Sequence, residues 1–145
     1  MSKGAMLALA ISITAKAFEN KVDKGGNPYI LHCLRVMNSV GTKNEEKACA
    51  AVLHDLVEDC PEWTCSKLSA LGFTDKVVGI IYLLTREKTT PYMEYIKAIS
   101  VDKDASEIKI ADLRDNSDIT RLKGLRKKDM DRIEKYHAAY VYLLN

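Results

Sequence analysis

The sequence predicts an all-α protein with a single domain, and three observations support this fold class. Apolar side chains recur at the spacing of amphipathic helices along most of the 145 residues. Glycine and proline fall between these stretches, where they act as turn residues. The chain contains no internal repeat or low-complexity linker and is long enough for one hydrophobic core, so residues 1–145 are expected to form one domain.

Four helices are predicted in the first half of the chain. They run from Ala5 to Val22, from Pro28 to Val40, from Glu45 to Cys60 and from Thr64 to Leu71. The turn from Asp23 to Gly26 separates the first pair, and Asn27 with Pro28 supplies an N-cap and a first-turn proline. Asn44 caps the third helix, whose first-turn glutamates favour the positive end of a helix.

Four more helices are predicted in the second half. They run from Asp75 to Leu84, from Pro91 to Ser100, from Ala105 to Leu122 and from Lys128 to Leu144. The segment Ile108 to Ile110 is compatible with a short strand, but the apolar pattern continues through Leu113, Ile119 and Leu122 and favours a helix.

Composition and charge narrow the class of function. The net charge of +2 and the hydrophobic fraction of 47% are typical of an ordinary globular protein and argue against a tail that binds nucleic acid. No stretch approaches the ~18 apolar residues of a membrane span, and the apolar N-terminus has no convincing cleavage site. We therefore expect a cytosolic protein with reduced cysteines and with neither membrane nor nucleic acid as a partner.

One apolar stretch carries four polar side chains. His54, Asp55, Glu58 and Asp59 follow the apolar run from Ala48 to Leu53. On a continuous helix they would fall within an arc of roughly 140°, at about 100° per residue. Because unpaired buried carboxylates are costly, a cation or a hydrogen-bond network is expected there, and a divalent metal is the simplest source of charge. The pattern indicates a metal-dependent hydrolase.

Two other segments hold candidate partners for that metal. His32 lies on the predicted second helix, although a lone histidine on an apolar helix face is more often a core residue than a ligand. Asp112 and Asn116 lie one above the other on a later helix. From spacing alone, a surface stripe of ion pairs with Arg114 explains that segment equally well. His137 is expected to pack or to face solvent.

Taken together, His32, His54, Asp55 and Asp112 resemble the ligand set of the HD phosphohydrolase superfamily. Three strings are similar, more specifically, to the successive motifs of the RelA/SpoT-type alarmone hydrolases, including the small members related to the metazoan SpoT homologue. The strings are KGGNPYILH from Lys24 to His32, HDLVED from His54 to Asp59 and KIADLRDN from Lys109 to Asn116. They occur in the family's order and span most of the chain.

The resemblance implies a bundle of about seven to eight helices around one metal site. It also implies a manganese-dependent hydrolase that removes pyrophosphate from the 3′ position of guanosine tetra- or pentaphosphate. Glu58 and Asp59 would orient the attacking water or move its proton, Lys24 and Lys109 would bind phosphate, and Asn116 would contact the nucleotide near its ribose. Independently of the resemblance, two imidazoles and two carboxylates suit a borderline-hard cation such as manganese.

Three positions depart from the family pattern. Asp23 stands where members commonly carry the arginine of an Arg-Lys pair, Cys33 where proline usually follows the histidine, and Asp115 where several relatives place tyrosine. A guanidinium can stack on a base or bind a phosphate, whereas a carboxylate repels phosphate. We therefore expect Asp23 to affect the recognition of guanine.

Other functions share parts of this pattern. A close variant would act on another phosphorylated purine nucleotide, such as the 2′-phosphate of a nicotinamide dinucleotide. An HD-type nucleotidase would cleave deoxynucleoside monophosphates. Two features argue against it: the run from Pro28 to His32, and the presence of Asn116. A non-catalytic nucleotide-binding module would not need the whole set of histidines and carboxylates. With no room for a second pyrophosphate-transfer domain in 145 residues, hydrolysis alone is expected.

Overall fold

The computed structural model describes residues 1–145 and confirms the all-α prediction. The α-helices are α1 (Ala5–Ala17), α2 (Tyr29–Val40), α3 (Glu45–Val52), α4 (Leu56–Asp59), α5 (Cys65–Ala70), α6 (Asp75–Leu84), α7 (Tyr92–Ser100), α8 (Lys103–Asn116) and α9 (Lys127–Leu144). A 3₁₀ helix, η1, spans Ile119–Arg121. The segment Ile108 to Ile110 lies within α8 and is helical. No helix combines the length and the apolar character needed to span a membrane.

The loop between α1 and α2 begins earlier than predicted. Helix α1 ends at Ala17 instead of Val22, because the chain turns to bury Phe18, which is only 2% exposed. Val22 then forms an isolated antiparallel bridge with Pro28, and Pro28 rather than Asn27 is the N-cap residue of α2. Glycine is required at position 25, because a Cβ there would lie 2.2 Å from the carbonyl oxygen of Arg121. The loop therefore packs directly on η1.

The predicted third helix is divided in two, which gives nine α-helices instead of eight. Helix α3 ends at Val52, and α4 begins at Leu56. Between them, the amide of His54 donates to the carbonyl oxygen of Ala51 and the amide of Leu56 donates to that of Leu53, a spacing of three residues in place of four. The prediction of a continuous helical face through His54 and Asp55 was therefore wrong, and both residues lie in a turn.

Helix α8 is also shorter than predicted. It ends at Asn116, six residues before Leu122, and the side chain of Asp118 then accepts the amide of Thr120 to cap η1. This cap competes with continuation of the helix. As a result, Arg121 lies on a separate short element beside the loop before α2.

Helix α3 lies at the centre of the fold. All residues from Ala48 to Val52 are buried, and α1, α2, α6 and α8 pack around them. The small side chains of α3 allow these helices to approach closely, which brings the three sequence motifs together. Leu53 and Leu56 are fully buried on either side of the turn, and burial of such side chains is worth about 1.5–3 kcal/mol each. The turn that carries His54 and Asp55 is therefore fixed by core packing at both ends.

Candidate metal centre

Four side chains from three parts of the chain meet at one point. They are His32 on α2, His54 and Asp55 in the turn after α3, and Asp112 on α8, and one donor atom of each lies within 4.8 Å of every other. His32 Nε2 is 3.3 Å from His54 Nε2 and 3.1 Å from Asp112 Oδ1. His54 Nε2 is 3.0 Å from Asp55 Oδ2 and 3.2 Å from Asp112 Oδ1. All four residues predicted as metal ligands are thus in one cluster.

The spacing of these donors fits a single divalent cation. Ligand atoms bound about 2.0–2.2 Å from one ion lie about 3.0–3.5 Å apart, and the donor atoms of the cluster have this spacing. His32 and His54 are buried, and two carboxylates share their small volume. Such a concentration of buried negative charge is stable only when a cation or protons neutralise it. The residues present therefore fit a divalent metal.

The electrostatics of the cluster favour positive charge on both imidazoles. Burial opposes protonation of His32, but hydrogen bonds to Asp112, Asp115 and Asp55 raise its pKa to about 11. Burial likewise opposes protonation of His54, but the charges of Asp55 and Asp112 raise its pKa to about 10. Conversely, although burial alone would raise the pKa of Asp55, the charge of His54 holds it well below its usual range. Protons or a metal ion must occupy this site.

Hydrogen bonds orient the donors in the turn. The Nδ1–H of His54 donates to the carbonyl oxygen of Ala51 at 2.7 Å, which leaves Nε2 free to act as a ligand. The hydroxyl of Tyr29 donates to Asp55 Oδ2 at 2.5 Å. Both contacts depend on the break between α3 and α4, since that turn directs the two side chains toward α2 and α8.

Asp112 is held by two residues that the sequence assigned to substrate. Lys109 Nζ lies 2.9 Å from Asp112 Oδ2, and the amide nitrogen of Asn116 donates to Asp112 Oδ1 at 2.9 Å. Both pairs are on α8 at helical spacing, three and four residues apart. In this structure Lys109 and Asn116 therefore support a ligand directly.

A cavity of about 250 Å³ opens beside the donors. Its acidic lining residues are Asp55, Glu58, Asp59 and Asp112, and its basic ones are Arg86, Lys109 and Lys135. Glu58 Oε1 accepts the backbone amide of Arg86 at 2.7 Å, and Asp59 Oδ2 pairs with Lys21 Nζ at 2.9 Å. The two carboxylate donors and a group of basic side chains thus line one open space.

Four of the five other predicted site residues line this cavity. Glu58, Asp59, Lys109 and Asn116 do so together with the donors Asp55 and Asp112. Lys24 is the exception: it lines an adjoining cavity, which shares Asn116 and Tyr136 with the first. His137 is outside the donor cluster and stacks on Tyr140, with ring centroids 6.3 Å apart.

The sequence-based site residues do not include six of the twelve residues that line the cavity, which are Tyr29, Arg86, Tyr92, Tyr95, Lys135 and Tyr136. Tyr29 lies within the first motif, three residues before His32 on the same face of α2, so helical spacing could have identified it. Arg86 and Lys135 belong to no motif and are almost fifty residues apart in the sequence, so only the folded structure shows that both line the cavity.

The sequence of this chain matches a known protein family. The sequence model of the HD domain matches residues 10–127, which is most of the chain and includes all four donors. The chain belongs to the HD-domain family. No curated protein sequence matches it.

A solved HD-domain structure has the same fold. It is described as a metazoan ortholog of SpoT that hydrolyzes ppGpp and plays a role in starvation responses. The two structures align with a TM-score of 0.82 over 100% of this chain and 88% of the other, at 22% sequence identity. The predicted HD-domain, SpoT-type fold is thereby confirmed. Family membership and the donor cluster also confirm the predicted function at its general level, a metal-dependent phosphohydrolase.

Proposed function

We propose that this HD-domain protein removes pyrophosphate from the 3′ position of guanosine tetraphosphate or of a related phosphorylated purine nucleotide, with Mn²⁺ as its metal and the cytosol as its compartment. The observation that carries the proposal is the cavity in which two of the metal donors, Asp55 and Asp112, lie together with three basic residues. The structural relative described as hydrolyzing ppGpp supports the same substrate class.

The cations of the cavity favour a phosphorylated ligand. Burial and the nearby charges of Arg86 and Lys109 lower the pKa of Lys135, so these side chains repel one another. Lys135 Nζ also lies over the ring of Tyr92, 4.7 Å from its centroid. A phosphate among these groups would relieve the repulsion and accept charge-assisted hydrogen bonds. We infer that Arg86 and Lys135 hold the phosphoryl groups beside the metal donors.

The acidic residues of the cavity supply proton transfer. A bound divalent metal would lower the pKa of a coordinated water and polarise a phosphoryl oxygen. Partial burial raises the pKa of Glu58 above its usual range, which suits a carboxyl group that exchanges protons with water. Lys21 pairs with Asp59 and holds it at the same cavity. We infer that Glu58 accepts the proton of the attacking water and that Asp59 orients the water.

The neighbouring cavities support a substrate with phosphates at two positions. Beyond Asn116 and Tyr136, the adjoining cavity contains Lys24 and Arg132. These two side chains also line a third cavity of about 550 Å³. Its further cations are Lys123, Arg126 and Lys128. A nucleotide whose 3′-pyrophosphate lies at the donors could extend its 5′-phosphates toward this basic region, whereas a nucleoside monophosphate would use only one end.

Phosphorus NMR of the reaction products tests the proposal. Protein loaded with Mn²⁺ is incubated with guanosine tetraphosphate, a phosphorylated nicotinamide dinucleotide and a deoxynucleoside monophosphate. Release of pyrophosphate from guanosine tetraphosphate is the expected result, and Asp55→Asn is the metal-site control. Orthophosphate released only from the monophosphate would instead support the nucleotidase. A failure to turn over any nucleotide would exclude both enzymes.

A further inference from the structure

A carboxylate outside the donor cluster contacts one of the metal ligands. The Nδ1–H of His32 donates to Asp115 Oδ2 at 2.6 Å, while His32 Nε2 lies among the other donors. Asp115 is itself almost buried, with 13% of its side chain exposed. This contact joins α2 to α8 across 83 residues of sequence.

Two arginines hold that carboxylate in place. Arg35 donates through Nε to Asp115 Oδ1 at 2.7 Å and through Nη2 to Oδ2 at 3.1 Å, which is a bidentate pair. Arg121 donates through Nη2 to the backbone carbonyl oxygen of Asp115 at 2.7 Å and through Nη1 to the carboxylate oxygen Oδ1 at 3.4 Å. The carboxylate is thus bound by side chains from α2 and η1 and has little freedom to rotate.

We propose that Asp115 is a positioning residue for the metal centre and that Arg35 and Arg121 form the clamp that holds it. A histidine can ligate through Nε2 only when its ring is correctly turned and its proton lies on Nδ1. Asp115 fixes both properties of His32. The proposal concerns the metal centre alone and does not depend on the nucleotide that the protein hydrolyses.

The two histidines of the centre differ in how they are oriented. The Nδ1–H of His54 is held by a backbone carbonyl in its own turn, which no side-chain substitution removes. The orientation of His32 depends on a side chain from another helix. On both α2 and α8, a donor is followed three residues later by a member of the clamp: Arg35 follows His32, and Asp115 follows Asp112. Side chains three residues apart lie on the same face of a helix. A neutral side chain at this position would have no negative charge to bind two arginines, so the clamp depends on Asp115.

Metal affinity measured on the purified protein tests the proposal. Mn²⁺ is titrated in competition with a fluorescent chelator into wild-type protein, Asp115→Asn and the control Asp118→Asn. Asp118 contacts Arg121 at 3.3 Å and is the same kind of residue, but it does not contact His32. Loss of an outer hydrogen bond to a ligand typically weakens metal binding about 10–100-fold. An asparagine at position 115 can accept from His32 only by turning its NH2 group toward the Nε–H of Arg35, so it cannot keep both contacts. We therefore expect this loss for Asp115→Asn and less than about 3-fold for Asp118→Asn, with both metal-free variants folded by circular dichroism.

A spectroscopic measurement separates positioning from a simple charge effect. Removing a nearby negative charge would weaken binding without changing ligand geometry, whereas a displaced His32 ring would also change the visible absorption bands of the Co²⁺-loaded protein. An altered cobalt spectrum in Asp115→Asn but not in Asp118→Asn supports the proposal. Unchanged bands, or equal affinities in the two variants, would overturn it.

A second variant keeps the test decisive if Asp115→Asn does not fold. Arg35→Met leaves the carboxylate in place but removes its bidentate partner. Because the hydrogen bond from His32 to Asp115 remains but is less firmly held, Arg35→Met should bind Mn²⁺ about 3–10-fold more weakly than wild type. This loss is smaller than the one expected for Asp115→Asn. Wild-type affinity in Arg35→Met would refute the clamp.

Discussion

The ion pair between Lys109 and Asp112 should affect thermal stability differently in the metal-free and the metal-bound protein. Lys109 Nζ lies 2.9 Å from Asp112 Oδ2, and the two side chains are 12% and 6% exposed. Lys109→Met keeps the aliphatic stem and removes the charge. Breaking a buried pair by removing one partner costs about 3–5 kcal/mol. Because Asn116 still donates to Asp112 Oδ1, we expect the lower end of this range.

This free energy corresponds to a measurable change in melting temperature. For a chain of this length, 1 kcal/mol shifts the midpoint by about 2–4 °C. Metal-free Lys109→Met should therefore melt about 6–12 °C below wild type, when about 3 kcal/mol is lost. Lys97→Met is the matched control, since Lys97 lies on α7, is 53% exposed and pairs only with Glu94. Its midpoint should shift by no more than about 2 °C.

Saturation with Mn²⁺ should reduce the deficit of Lys109→Met. A divalent ion at the donors and the Lys109 charge repel each other by at least about 1 kcal/mol within several Å, even at the dielectric constant of water. The variant should therefore bind metal more tightly than wild type, and its melting deficit should narrow by about 2–4 °C or more. Differential scanning calorimetry with chelator and with Mn²⁺ measures both values. Equal deficits in the two conditions, or a metal-free deficit no larger than that of Lys97→Met, would refute the reasoning.

Three further predictions concern the centre and the turn that carries it. Asp55→Ala should lose both metal and activity. Glu58→Ala should keep its metal, as measured by elemental analysis, while its kcat falls by about 10²–10⁴-fold. If purified Glu58→Ala contains no metal, the role assigned to Glu58 is wrong. Metal binding should strengthen as pH rises from 6 to 8, because His32 and His54, with pKa values raised to about 11 and 10, must lose protons to become ligands. Calorimetry in buffers of different ionisation enthalpy should detect released protons, and an affinity independent of pH would exclude this competition. Leu53→Ala should lower the free energy of unfolding, measured in urea, by about 2–5 kcal/mol, because this side chain is fully buried at the break after α3. A decrease below about 1 kcal/mol would show that packing of Leu53 does not fix the turn.

The cluster of His32, His54, Asp55 and Asp112 could be predicted because each residue lies in a short string that resembles a family motif. Spacing alone did not decide it, since the fold had to bring α2, the turn after α3 and α8 together. The break after α3 could not be predicted in the same way. No glycine or proline interrupts the run from Ala48 to Asp59, and local propensity favours one helix there. Burial of Leu53 and the hydrogen bond from His54 to Ala51 are tertiary and turn effects that override it.

That break also changes what the HDLVED string does. On one continuous helix, His54, Asp55, Glu58 and Asp59 would have presented one face to a single ion. In the structure His54 and Asp55 join the donors, while Glu58 accepts the amide of Arg86 and Asp59 pairs with Lys21. The separation of His54 and Asp55 from Glu58 and Asp59 is thus a consequence of the turn. Lys109 could be anticipated from its motif, but Arg86 and Lys135 could not, because they come to the cavity only through packing.

Asp23 has a structural role in the loop before α2. Its Oδ1 accepts the amides of Gly25 and Asn27, both at 2.9 Å, so it organises the loop before α2. Its Oδ2 lies 3.7 Å from the guanidinium nitrogen Nε of Arg121, which opposes its charge. Arg121 also binds Asp115, the residue that orients His32. The loop that contains Asp23 is therefore connected through one guanidinium to the residue that contacts His32. An arginine at position 23 would remove the acceptor for two loop amides and face Arg121 with like charge, so it would disturb both the loop before α2 and the contacts of Arg121 with Asp115.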